Sequence, residues 1–147
     1  MSKMKPLFDH EKLDAYQEAI AFCGWVGEFL ETVSGKTAAK DQLDRASTSI
    51  PLNIAEGNGK FSERDRARFL EMARGSTLEC AACLDVLVAR RFSTDETVLP
   101  AKTRLVGIVQ MLIGLLRRFS ERADVLREDE GNYRLDYDHD HEQEKEE

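Results

Sequence analysis

Apolar residues return every three or four positions along four successive stretches of this chain, and nowhere do they alternate singly as a half-buried strand requires. That period confines the chain to helices. The breaks between stretches are only a few residues long, and short connections between long helices favour antiparallel neighbours in an up-down bundle. The first stretch runs from Glu11 to Val33 and stops at Ser34-Gly35, glycine being suited to a left-handed helix end. The second runs from Thr37 to Glu56 and meets Gly57-Asn58-Gly59. Ser62 with Asp65 then opens a third helix in the manner of a capping box, and this continues to about Arg91. After a turn at Phe92–Asp95 comes the fourth helix, uninterrupted beyond Pro100, where Leu105, Ile108, Val109, Leu112, Leu116, Phe119 and Leu126 repeat at three and four. The expected fold is all-α, an antiparallel up-down four-helix bundle.

Two segments break rules that ordinary amphipathic helices keep. Pro51 lies inside the period of the second helix, where it removes an N–H donor and frees the Ser47 carbonyl, at a cost of about 3 kcal/mol unless something compensates. Leu43, Ile50, Ile54 and Gly57 share one face there, with Asn53 on its shoulder. On the third helix Phe69, Ala73, Ser76, Cys80, Cys83 and Leu87 share a face, with Glu79 at its edge. Partly buried polar groups require partners. Asn53, Glu56, Ser76 and Glu79 are therefore expected to form a structural polar network, with the Ser76 hydroxyl answering the carbonyl that Pro51 frees. Interior Gly24, Gly27, Gly75, Gly107 and Gly114 each give up about 1 kcal/mol against alanine, which makes sense where backbones approach closely.

The pattern Gln42-Leu43-x-Arg45-Ala46-x-x-Ser49-Ile50-Pro51-x-Asn53-Ile54-Ala55-Glu56-Gly57, then Phe69-Leu70-x-x-Ala73-Arg74-Gly75-Ser76-x-x-Glu79, resembles the four-helix-bundle family encoded by intervening sequences in bacterial 23S ribosomal RNA genes. The resemblance spans roughly residues 8–128. It implies an antiparallel four-helix bundle assembled as a ring, typically a pentamer. Relatives of that family include the accessory proteins of diversity-generating retroelements, which are basic rings that bind nucleic acid and a reverse transcriptase. Asp44 stands where the family pattern has a second Arg after the Gln.

A length of 147 residues accommodates one domain with a core. The net charge of −7 is unevenly placed: Glu128 to Glu147 holds ten acids and two bases, while residues 1–127 are nearly neutral. This divides the chain into an N-terminal arm at 1–10, the bundle at 11–128 and an acidic tail at 129–147. High charge and few large apolar groups make disorder the expectation for that tail. No run of about 18 apolar residues exists, so no membrane span is expected. No continuous apolar segment of signal-peptide type follows the N-terminus, and a cytoplasmic location is expected. Cys23, Cys80 and Cys83 are odd in number and sit within helical patterns, which argues for small core residues rather than a disulfide framework.

Enzymatic signatures are weak. At Gly57-Asn58-Gly59-Lys60-Phe61-Ser62 the residue after the Lys is Phe61 and a helix precedes, so the phosphate-loop pattern fails. A di-iron bundle needs Glu-x-x-His pairs on its helices, whereas His10, His139 and His141 lie outside the helical core, and the last two belong to a solvated acidic tail. No catalytic residue, metal, cofactor or small-molecule substrate is expected. Bases at Lys60, Arg64, Arg68, Arg118 and Arg122 are candidate nucleic-acid contacts, since repetition around a ring concentrates positive charge on a phosphate backbone. Interleaved Glu63, Asp65 and Glu71 also allow plain solvated faces. A second apolar stripe on the first helix and apolar residues away from the main face of the third point to self-association, with Phe22, Phe29, Leu70 and Leu78 as the expected contact residues. The leading expectation is a non-enzymatic homo-oligomeric ring that holds RNA, DNA or a nucleic-acid enzyme. The alternative is a protein-interaction ring whose acidic tail recruits a basic partner.

Overall fold

Three of the four helices start on a hydroxyl that takes up a backbone N–H left without an intrahelical partner. Thr37 Oγ1 accepts from Lys40 N at 3.1 Å ahead of α2 (Ala38–Asn58). Ser62 Oγ accepts from Asp65 N at 3.0 Å ahead of α3 (Glu63–Ala89), and Thr94 Oγ1 from Thr97 N at 3.3 Å ahead of α4 (Asp95–Ser120). The remaining helix, α1 (Asp14–Thr32), follows a 3-10 turn at Asp9–Lys12. This is a computed structural model in which residues 5–120 are described, and no strand occurs among them. The last turns expected of the fourth helix, with Leu126, and the acidic tail at 129–147 lie outside the described residues.

Besides the start of α1 at Asp14 rather than Glu11, where the extended Leu13 separates it from the 3-10 turn, two helix boundaries differ from expectation, each for a physical reason. α2 does not stop at Glu56 but continues through Gly57 to Asn58. A Cβ on Gly57 would stand 2.9 Å from Phe69 Cβ and 3.2 Å from the Arg66 carbonyl, so this glycine serves close helix packing rather than termination. α4 begins at Asp95 and runs straight through Pro100. Pro100 and Glu96 are both exposed, and water can satisfy the carbonyl that the missing N–H leaves free. The other interior glycines correct the close-approach expectation. Added Cβ atoms on Gly24, Gly27, Gly75, Gly107 and Gly114 would meet nothing within 4 Å.

Pairwise contacts give the topology. Cys23 meets Ser47 between α1 and α2, and Lys40 reaches back to the Val33 carbonyl at 2.7 Å. Gly57 faces Phe69, Ser49 meets Ser76, and Gln42 meets Glu79, so residue numbers fall on α2 as they rise on α3. Lys102 pairs with Asp85, while Arg66 lies over the Phe119 ring, which runs α3 and α4 antiparallel. Arg104 and Glu18, 3.6 Å apart, link α4 to α1. Among the described residues the backbones of α1 and α3 do not approach closely, nor do those of α2 and α4, so the four form a square of sequential neighbours whose side chains meet in the middle.

The core is filled by one stripe from each helix. α1 supplies Ala15, Ala19, Phe22, Val26 and Phe29, followed by Val33 just past its end; α2 supplies Leu43, Ala46, Ile50 and Ile54. α3 supplies Leu70, Ala73, Cys80, Leu84 and Leu87, and α4 supplies Val98, Leu105, Ile108 and Leu112. This corrects the contact-residue expectation: Phe22 is 0 %, Leu70 3 % and Phe29 5 % exposed, all inside a single protomer. The stripe read as outward on the first helix is the inward one, while Ile20 is exposed. Of the four expected contact residues only Leu78 lies at the surface. Asp95–Phe119 also has the length of a membrane-crossing helix, and an 18-residue window within it has the mean hydropathy (1.4) of one, although no uninterrupted apolar run announces it. Its Leu105, Ile108 and Leu112 are fully buried in the bundle, but only 28 % of that window is buried in all.

Candidate functional site

Pro51 is buried, so the carbonyl of Ser47 that it frees cannot simply turn to water. The partner comes from α1. Cys23 Sγ donates to the Ser47 carbonyl at 3.2 Å, a weak thiol bond in a place where the alternative is an orphaned acceptor. Ser76 does not play the role expected of it. Its hydroxyl lies 2.9 Å from Ser49 Oγ, and Asn53 Nδ2 donates to both the carbonyl and the hydroxyl of Ser49, each at 2.9 Å. The Ser49 hydroxyl has a second lone pair besides the one that takes the Asn53 bond, so either hydroxyl of the Ser49–Ser76 pair can donate to the other.

A second cluster stands farther along the same α2/α3 seam. Gln42 Nε2 donates to Glu79 Oε1, and Arg45 Nη2 donates to Gln42 Oε1 at 3.0 Å. The expected network of Asn53, Glu56, Ser76 and Glu79 is thus two clusters. Asn53 and Ser76 belong to one and Glu79 to the other. Glu56 is exposed and stands outside both. Ser49, Gln42 and Arg45 are the members that sequence reasoning did not name as site residues. The signal was present in their spacing, because 42, 45, 49, 53 and 56 trace one polar stripe at three- and four-residue steps. Beside the second cluster, Gln42, Arg45, Glu79, Cys83, Val86 and Arg90 help to line an open groove of about 470 Å³. With Asp41 also in its lining, the groove joins two guanidinium groups and two carboxylates to an apolar floor.

The thiols are poor nucleophiles. Burial, then the neighbouring thiols of Cys83 and Cys23 and the Glu79 carboxylate, pushes Cys80 up to about 12. Burial also raises Cys23, with Asp44 adding to it, and raises Cys83, with Glu79 adding to it. A neutral thiol neither attacks nor ligates. His10 is held in the N-terminal turn, its ring 5.7 Å from that of Phe8 and 4.7 Å from that of Tyr16. His139 and His141 lie outside the described residues.

The basic candidates gather at the opposite end of the seam. Lys60 Nζ lies 5.0 Å from the centroid of Phe69, and the Arg68 guanidinium 5.1 Å from it. Arg64 is exposed one turn before Arg68. Arg118 is exposed near the end of α4, and the Arg66–Phe119 contact places that end beside the start of α3. Arg122 lies outside the described residues. Arg66 Nε donates to the Lys60 carbonyl at 2.6 Å, so this arginine holds the α2–α3 turn in shape. Asp65 approaches Arg68 at 4.0 Å, with both side chains more than half exposed. Water screens such a pair strongly.

A family profile described as 23S rRNA-intervening sequence protein matches residues 11–114. Among solved structures, a protein of unknown function from the S23 ribosomal protein family of Bacteroides thetaiotaomicron VPI-5482 superposes with a TM-score of 0.66 at 20 % identity. The match covers 69 % of this chain and 97 % of that one. At that identity the likeness is one of fold. No curated protein matches the chain.

Proposed function

The chain belongs to the 23S rRNA-intervening sequence protein family, and from that premise we propose a non-enzymatic, cytoplasmic scaffold built from several copies. The copies close into a ring, of five by the resemblance, that holds structured RNA or DNA or an enzyme working on it. The observation that carries this reading is the outer surface of the bundle. Gly24 and Gly27 flank exposed Ile20 on α1, while Gly107 and Gly114 accompany exposed Leu99 and Val106 on α4. Among the described residues nothing stands against these glycines, yet each weakens its helix by about 1 kcal/mol relative to alanine. Backbone stripped of side chains beside exposed apolar groups suits a close approach by another copy better than it suits water.

The nucleic-acid part of the reading draws on Lys60, Arg64, Arg68 and Arg118 at one end of the bundle, a charge that a ring would multiply. Light scattering on the full chain at micromolar concentration tests the assembly, which is expected at a multiple of the protomer mass. A monomer would overturn the scaffold. A gel shift with a structured RNA at low salt tests the cargo. The expected band weakens as salt rises, because phosphate contacts release counterions, and reversing Arg64, Arg68 and Arg118 to Glu abolishes it. An oligomer that retards no RNA or DNA would instead leave a protein-interaction ring, whose acidic tail recruits a basic partner.

A further inference from the structure

The turn between α2 and α3 carries a phenylalanine that packing does not explain. Phe61 is 102 % exposed, the most open of the large apolar side chains described. A ring of that size ordinarily buries its faces. Cations stand close to it along the chain, with Ser62 and Glu63 between. Lys60 precedes it, Arg64 follows within a turn, and Lys60 and Arg68 are both drawn to the half-buried ring of Phe69. Arg66 fixes the turn through its bond to the Lys60 carbonyl, so the ring is presented by ordered backbone. Glu63 and Asp65 are the acids in this stretch, and the contact of Asp65 with Arg68 is long and open to exchange.

We infer that Phe61 is a stacking platform for an unpaired base of a nucleic-acid strand, with Lys60, Arg64 and Arg68 taking the flanking phosphates. The inference rests on the nucleic-acid reading above and sharpens it to single-stranded segments such as loops and ends. An exposed aromatic face set among cations matches the two parts of a single strand, since every base offers a flat π-face and every linkage a negative charge. A duplex hides its base faces, and an apolar protein partner would have to desolvate Lys60, Arg64 and Arg68 at this end of the bundle. Base–aromatic stacking tolerates any sequence, so this contact carries affinity without specificity.

Anisotropy of a labelled oligo-uridine 12-mer and of a labelled duplex of the same length, titrated with the full chain at low salt, tests it. Phe61→Ala is expected to weaken oligo-uridine binding about five- to a hundredfold, the range of one base–aromatic stack, and to leave the salt slope unchanged. Arg64→Glu with Arg68→Glu should flatten that slope. Phe61→Trp should keep affinity and add a tryptophan signal that is quenched on binding, beyond the constant background of Trp25. Because Phe61 touches little of the fold, its variants are expected to melt as the parent does. Wild-type-like binding by Phe61→Ala would overturn the stacking role while sparing the broader reading. Failure of the parent to bind any RNA or DNA would end both. A drop in assembly mass for Phe61→Ala would make the ring a contact between copies and overturn the inference.

Discussion

On the buried face of α2, the loss of one backbone donor at Pro51 is answered by a single thiol on a different helix. That makes Cys23 and Pro51 an energetic pair, although 28 positions separate them in the chain. Cys23→Ala is expected to destabilise the fold by about 1–2 kcal/mol, because the Ser47 carbonyl is then buried without a partner, whereas Cys23→Ser keeps a donor and loses less. In the Cys23→Ala background, Pro51→Ala restores an N–H four residues after Ser47 and should recover part of the loss. Urea titration of the four proteins in this cycle measures the coupling, and strictly additive midpoints would dissolve the pair. Cys80 offers a second check at this scale. A thiol held near 12 carries roughly a thousandfold less thiolate at pH 8 than one at the ordinary 9.0. Iodoacetamide should therefore label it only after unfolding, and rapid labelling of the native chain would contradict the burial described.

Helix ends and crossings carry their own strain. α3 closes with Arg91 N donating to the Val88 carbonyl at 3.0 Å and Phe92 N to the Leu87 carbonyl at 2.9 Å, a Schellman arrangement that requires a left-handed residue. Arg91 fills that place with φ 66°, where a side chain costs about 1–2 kcal/mol and glycine costs none. Arg91→Gly is expected to raise stability by about 1 kcal/mol. Gly57→Ala should lower it by about 1–3 kcal/mol, since the new methyl would meet Phe69 Cβ and the Arg66 carbonyl. Thermal melts of the two variants should move in opposite directions. Thr37 marked only where the second helix starts, but the Ser62 cap was legible in advance, a hydroxyl at the foot of a helical period. The role of Gly57 was not, because a glycine that ends a helix and one that admits a neighbouring helix look alike along the chain.

At the scale of the molecule, the apolar content exceeds what a single bundle covers. Leu99 is 63 % and Val106 56 % exposed on a helix whose opposite face is sealed into the core. Val106→Glu is expected to lower the assembled mass in light scattering while leaving urea stability nearly unchanged at low protein concentration. The parent mass retained in full would place the contact elsewhere. Aromatic residues on the first helix looked like surface for a partner, yet Phe22 and Phe29 fill the centre. An apolar stripe wide enough for both readings does not state which half turns inward.

The linear pattern determined that this chain makes four helices, roughly where each begins, and that its neighbours run antiparallel across short turns. These follow from local period, capping hydroxyls and connection length, all of which operate within a few residues. Tertiary structure alone decided how each helix is rotated and in what register it meets the next. That rotation put Cys23 rather than Ser76 on the freed carbonyl, left Glu56 in water and drew Ser49, Gln42 and Arg45 into the seam. Rotation and register are set by interlocking side chains from distant parts of the chain, and no single helix carries that information.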